Sequence, residues 1–518
     1  MKKQNNVETI RALSNFPYFV LKEEIETGYN LYTQELIEIK QNYIDYKYGC
    51  EFKTEGTSGD YIASNVRFKE ASYLINKEAR YMFSQTPDIT ISANGLDEQS
   101  ENTAQQYQKL INEVLKRNNF SKLLLQSAKD CFIGKRVACL VDYSEDDGIQ
   151  LHFYNSLQFY YETDYGSDRL TKFISFEQVN NTKTTSQRLY LINRYEEING
   201  DIYLSSILKD GLGNEKEVLI KNQKTELKQI PVVIIVNDGT LDEKGGVSEM
   251  SELSEYESGY SRLSNSDIDS ERKGMNPIRY VVDMNPKTTG GLSSSAGSFW
   301  DLEHNHNMND PKPSIGTLAP ALNHTEAVKS TLNRIKTSMH NAVDVPDISQ
   351  EGLLSGITSF KALKALYFPL TVRCNEKLKT WKPAIEFIVK QIIELALLNK
   401  NDIISKYVLT GLDELQYNIN VVENYALIDD ETEEKEIDLA EIAQNTRSRK
   451  SYIKKWRSDE FKTDEQIEQE LMQIALEVNM FDTMSMNTQI QGELNKQETQ
   501  KQIDDDIELQ QAEQNLEK

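Results

Sequence analysis

Residues 247–274 read VSEMSELSEYESGYSRLSNSDIDSERKG and residues 325–342 read TEAVKSTLNRIKTSMHNA, and the architecture to expect follows from these two stretches. In the first, Met250, Leu253, Tyr256, Tyr260 and Leu263 recur at three- and four-residue steps, the period of a helix with one packing face. Ser251, Ser254, Ser258 and Ser261 form a second, small polar stripe, expected to stay narrow and wettable. In the second, Val328, Leu332, Ile335 and Met339 make an apolar row, and Lys329, Asn333, Lys336 and His340 make a polar row with the same spacing. Between the helices the chain turns at Gly274 and Pro277, runs extended through Ile278–Val282 and detours through a Gly/Ser/Asn-rich segment. Two helices therefore flank a protruding, β-containing module.

Downstream, Asp344-Val345-Pro346-Asp347 and the turns at Gly352 and Gly356 lead into a long helical pattern through Leu363, Leu370, Leu378, Trp381, Ile385, Ile388, Ile392 and Leu395. Pro369 and Pro383 lie inside it; each removes a donor and crowds the preceding turn, so a kink or break is expected there. Upstream, helices are expected over Phe16–Lys47, Ser64–Ser84, Glu101–Arg117 and Ser121–Phe132, with a short strand at Ile89–Ile91. From Arg136 the period becomes extended: Val137–Val141, Ile149–Phe153, Thr171–Ser175, Leu189–Ile192 and Ile202–Ser205 are β runs, closing near Ile230–Ile235. Asp146-Asp147-Gly148 and Asn199-Gly200-Asp201 are hairpin turns. After Asn399 a strand is expected at Tyr417–Val422, then helices opening on the acidic run Asp429–Glu436, at Tyr452–Trp456 and at Asp464–Val478. Gly492–Lys518, rich in Gln, Glu and Asp, reads as a frayed helix or disorder.

A chain of 518 residues exceeds one ordinary core, so two to four structural units are expected. No run approaches the roughly 18 apolar residues that span a bilayer, and the start lacks a signal-peptide core, so the chain reads as made and kept in the cytoplasm, with no membrane partner. Cys50, Cys131, Cys139 and Cys374 have no metal-ligand spacing and read as small buried hydrophobes. The net charge of −24 argues against tight DNA wrapping, which needs many Lys and Arg contacts. It suits a wall along which a duplex slides without sticking, and equally an acidic protein with no nucleic-acid role.

Phosphate loops, dinucleotide fingerprints, zinc helices and nucleophile elbows are absent from the sequence, so no catalytic residue and no cofactor are assigned. Pro346-Asp347 is followed by Gln350-Glu351-Gly352-Leu353, which lacks the lysine of a nuclease site. Asp301, Glu303, His304, His306 and Asp310 resemble a metal set, but a His-x-His in such a segment is more often solvated, and no metal is assigned. The long amphipathic faces of the helix-excursion-helix unit exceed what one subunit buries, which argues for lateral packing against identical copies in a ring. The row Lys329, Asn333, Lys336 and His340 then faces a neighbour, a central opening or plain solvent.

The order of several short stretches resembles the portal proteins of tailed bacteriophages, in particular long-tailed phages of Gram-positive bacteria. The carrying stretches are Ser64-Asn65-Val66 through Ser84, with serine where the family usually has glycine, then Gly134-Lys135-Arg136-Val137-Ala138 and Ile230-Pro231-Val232-Val233 leading to Gly246–Met250. Leu354-Ser355-Gly356-Ile357 and Thr463–Glu470 complete the series. The resemblance implies an α+β, mainly helical, ring-forming fold with a wing (1–246), stem helices (247–273 and 325–342), a clip (274–324), a tunnel loop (343–355), a long kinked helix with further wing (356–428), and a crown with an acidic tail (429–518). It implies a dodecameric ring at one capsid vertex of the virion, passing double-stranded DNA without sequence preference. Terminase, capsid and scaffold proteins, and neck or connector proteins would be its partners, and it would have no active site. On that reading Lys329, Asn333, Lys336, His340, Asp344, Asp347 and Glu351 are candidate channel residues, the lysines braking or guiding DNA and the acids opposing adhesion. Arg279, Trp300, Asp301, His304 and His306 are candidate partner-binding residues of the clip. A scaffold or adaptor that forms no ring, or a DNA-processing enzyme, are the alternatives.

Overall fold

A computed structural model describes residues 29–476, apart from 54–61, 95–97, 165–166, 168, 181–183, 185–186, 238, 276–277, 283, 287–301, 305–313, 319–324, 348–359, 426–430, 458–459 and 462–465. The chain divides into two compact units, Met1–Leu427 and Ile428–Lys518.

The first unit is built on the C-terminal part of one long helix. Helices α1 (Tyr29–Tyr48), α2 (Glu70–Phe83), α3 (Glu98–Arg117) and α4 (Phe120–Gly134) come first, with strand β1 (Asp88–Ala93) between α2 and α3. Helix α7 (Phe360–Leu398) runs unbroken through Pro369 and Pro383. Leu370, Cys374, Leu378, Trp381, Ile385, Ile388 and Ile392 are buried in the main core with Tyr107, Leu110, Phe120 and Phe132. All four cysteines are buried, and none is in a disulfide. Helix α8 (Lys400–Tyr407) follows, and β14 (Tyr417–Val422) returns to pair antiparallel with β1, Ile89 opposite Val421 and Ile91 opposite Ile419.

The alternating segment folds as two antiparallel sheets. Strands β2 (Arg136–Ser144), β3 (Gly148–Asn155) and β9 (Val232–Val236) form one in the order β3-β2-β9, against α4 and α7. The others form a five-stranded meander: β4 (Phe159–Thr163), β5 (Leu170–Gln178), β6 (Leu189–Ile198), β7 (Asp201–Asp210) and β8 (Glu215–Lys224). Strand β8 escapes the alternation rule because it is a solvated edge with little to bury.

Helix α5 (Glu249–Met275) leaves this body and packs against α6 (Thr325–Ala342). Between them β10 (Ile278–Val282) pairs with β13 (Ser314–Leu318), and β11 (Met284–Pro286) with β12 (Leu302–His304). The apolar face of the helix pair is buried only near the body. Met250, Leu253 and Met339 are inside, whereas Tyr256 is 42% exposed and Val328, Leu332 and Ile335 are half-buried.

The expected helix over Ser64–Ser84 begins only at Glu70, and the residues before it run extended along α5. The Ser64 amide donates to Asp269 at 3.0 Å, Val66 to Asn265 at 2.8 Å and Phe68 to Ser261 at 3.3 Å. Asn265 also returns a bond from Nδ2 to the Val66 carbonyl at 2.7 Å, and Glu257 accepts from Ala71 at 2.7 Å and from Cys50 at 3.1 Å. The polar face expected to stay wettable is therefore occupied: Ser261 is fully buried, Ser251 bonds Asn42 of α1, and Ser258 donates to the Glu51 carbonyl.

The second unit contains α9 (Glu431–Ala443), α10 (Arg449–Trp456) and a helix over 466–476. Ser448 caps α10 by accepting from the Ser451 amide, and Asp438 accepts from Trp456 Nε1 at 2.6 Å, tying α9 to α10.

Candidate functional site

Helix α6 presents its polar row unevenly. Lys329 and Asn333 are exposed, Lys336 is partly covered, and His340 is buried with the start of the following turn folded over it. That turn closes the helix. Asp344 sits at φ 52°, its amide donates to Asn341 O at 3.4 Å, and the Val345 amide donates to His340 O at 3.1 Å. This nested pair of bonds around one left-handed residue ends many helices; Asp and Asn tolerate that conformation better than most side chains. Val343, Val345 and Pro346 are buried, so Asp344 has a backbone role in addition to its exposed carboxylate.

His340 stands apart from the other members of its row. Its Nδ1 lies 2.8 Å from the Val345 carbonyl, which only an N–H can satisfy, so Nδ1 carries the proton. Nε2 is buried without a hydrogen-bond partner and lies 3.9 Å from Asp347 Oδ1. Lys336 Nζ is 3.6 Å from the same oxygen. A third base arrives from α2: Lys77 Nζ donates to Pro346 O at 2.6 Å and lies close enough for the charges of Asp347 and Lys336 to act on it. Burial lowers the Lys77 pKa, with Asp347 opposing and Lys336 reinforcing the shift. Sequence reasoning does not find Lys77, because nothing local links it to a turn 269 residues later.

Beside this open cluster lies a closed one. Arg373 and Lys377 of α7 meet Glu78 of α2 and Glu249, the first residue of α5. Arg373 Nε is 3.0 Å from Glu78 and its Nη2 is 3.2 Å from Glu249. Lys377 is 3.1 Å from Glu78, contacts Glu249, and donates to Asn237 Oδ1 at 3.0 Å. Arg373 also donates to Ala342 O, which ties the end of α6 to α7. Burial and then the Glu249 carboxylate push the Glu78 pKa up, whereas Lys377 and Arg373 overcome burial and pull the Glu249 pKa down. Each carboxyl keeps one buried Oε2 without a donor, and the two groups lie within hydrogen-bonding reach of each other. A proton held on Glu78 and shared with Glu249 satisfies both oxygens. Paired carboxyls of this kind also serve as catalytic acids and bases, but both glutamates are buried beyond reach of a substrate.

The remaining expected site residues are placed only in part. Arg279 lies on β10 opposite Thr317 and His304 on β12 opposite Met284. Trp300, Asp301, His306, Asp310 and Glu351 lie outside the described residues. Among the described residues no group of three or more His, Cys, Asp or Glu side chains is arranged to hold a metal ion, and no helix is long and apolar enough to cross a membrane.

No curated protein matches the sequence. Among solved structures, a chain from the neck of an empty GTA particle, computed with C6 symmetry, is similar over 74% of this chain and 88% of that one, at 11% identity and a TM-score of 0.37. The family described as phage portal protein, SPP1 Gp6-like, matches residues 21–480, nearly the whole length. The chain thus belongs to the SPP1 Gp6-like phage portal protein family.

Proposed function

We propose that copies of this portal protein close into a ring at one capsid vertex, and that duplex DNA passes along the ring axis during packaging and ejection. The observation that carries the reading is the α5–α6 pair, whose apolar face is left half-covered along Val328, Leu332 and Ile335 and exposed at Tyr256. Identical neighbours in a closed ring cover such a face. In this arrangement α5 and α6 are the stem, and the β10–β13 ribbon with the segments around it is the clip, offered to terminase and later to neck proteins. Residues 343–355 form the tunnel loop, 1–246 and 356–428 the wing, and 429–518 the crown. Lys329, Asn333 and Lys336 face the axis and contact phosphates weakly, and the chain supplies no chemistry of its own.

Negative-stain electron microscopy with a solution mass measurement tests this. Rings of twelve or thirteen copies with a central hole are the expected outcome. Monomers or dimers that stay so when capsid and scaffold proteins are added would replace the ring by an adaptor. Assays with magnesium are expected to show no ATP or DNA hydrolysis.

A further inference from the structure

We propose that Lys77, Lys336 and His340 form a seat for a backbone phosphodiester of duplex DNA, and that Asp347 fills this seat when no DNA is engaged. The proposal rests on the ring reading, since it needs DNA to pass the turn after α6. Three nitrogen groups from two helices converge on one carboxylate, and none holds it closely. Lys336 is at 3.6 Å, His340 at 3.9 Å, and Lys77 spends its short bond on the Pro346 carbonyl. The Asp347 side chain is 42% exposed, so it competes with water for those partners and leaves easily.

The second observation is His340. Its ring is buried, Nδ1 is committed to Val345, and Nε2 faces the seat with no partner. With Nδ1–H donating to a carbonyl, Nε2 donates to an anion only as imidazolium. A phosphodiester brings two free oxygens where the carboxylate's Oδ1 now meets both Lys336 and His340. Duplex DNA presents one phosphate charge for about every 1.7 Å of its axis, so a phosphodiester recurs at the seat as the duplex passes. Departure of Asp347 from the seat leaves Pro346 anchored by Lys77, so the exchange moves a side chain and leaves the end of α6 in place.

The test uses the full-length protein, after rings have been verified by electron microscopy, and a fluorescent duplex of about 30 base pairs titrated at several salt concentrations. Asp347→Asn, an exposed and nearly isosteric change, is expected to tighten duplex binding about fivefold at low salt. Lys77→Gln with Lys336→Gln is expected to weaken it and to reduce the steepness of its salt dependence by about 1 for each phosphate no longer neutralised. Intact rings on which both variants bind duplex as wild type does would overturn the seat and leave the ring reading standing. Absence of rings from wild type overturns the reading itself. Inorganic phosphate at matched ionic strength is expected to leave the melting temperature of Asp347→Asn unchanged; a rise there without tighter duplex binding would assign the seat to free phosphate.

Discussion

Lys77 and Glu78 are adjacent on α2 and serve two charge clusters of opposite character. Glu78 enters a closed cluster in which two carboxyls and two cations are held at 3.0–3.2 Å or closer and shut away from water. Lys77 enters an open one, where the nearest ion-pair distances to the single carboxylate are 3.6 and 3.9 Å. One step along a helix turns the side chain by about 100°, enough to carry it from the packed seam facing α5 and α7 to the turn after α6. The closed cluster therefore fixes where α2, α5 and α7 meet and, through Arg373 and Ala342, where α6 ends. The open cluster contributes little to that framework, which leaves its charges available for exchange.

The largest effect is expected from Lys377→Met, which leaves Glu78 and Glu249 buried with only Arg373. A drop of about 3–5 kcal/mol in denaturant unfolding follows from removing one partner of a buried ion pair. Changing Glu78→Met in the same chain removes the second buried carboxyl that Lys377 no longer meets, and is expected to bring stability back to within about 2 kcal/mol of wild type. If the double variant is no better than the single one, the closed cluster does not act as a unit.

Proton linkage distinguishes Glu78 further. Folding raises its carboxyl above the ordinary value of 4.5, so the folded state binds the proton more tightly than the unfolded chain does. The contribution of this group is thus fully present below 4.5 and disappears as pH rises towards the folded value, by about 1.4 kcal/mol for each unit of the shift. Glu78→Gln cannot titrate, and unfolding free energies measured across that range are expected to fall with pH more steeply for wild type than for the variant. The smallest effect belongs to the open cluster: Asp347→Asn is expected to change unfolding free energy by less than about 1 kcal/mol. A drop comparable to that of Lys377→Met would erase the contrast between the two clusters.

Much of this architecture is legible from periodicity. The rows of α6, the apolar face of α7 and the β runs after Arg136 all carry the repeat of the element they form. The closed cluster is not, because Glu78 and Arg373 are 295 residues apart and pair only through the fold. One local hint exists: Arg373 and Lys377 are like charges one turn apart on a largely apolar face, an unfavourable pair unless acids arrive from elsewhere. His340 has the spacing of its polar row but lies beneath the helix-terminating turn, so spacing alone assigns it to the wrong environment. The extended run before α2 reads as helix because no Gly or Pro separates it from the helical pattern that follows; its amides are satisfied instead by side chains nearly 200 residues downstream.

Those side chains make a vernier. Every fourth residue of a helix advances about 6 Å, and every second residue of an extended chain about 6.6 Å. Asp269, Asn265 and Ser261 can therefore meet Ser64, Val66 and Phe68 in turn while the two scales drift by only about 0.6 Å a step. At Glu257 the extended scale has been abandoned, and the bond goes to Ala71, already inside α2. The matching scales divide α5 into two regimes. Between Glu257 and Arg272, whose guanidinium still donates to Ser64 Oγ at 3.2 Å, a one-residue insertion rotates the graduations by about 100° and unhooks the strap, whereas beyond Arg272 a change of helix length leaves these graduations in register.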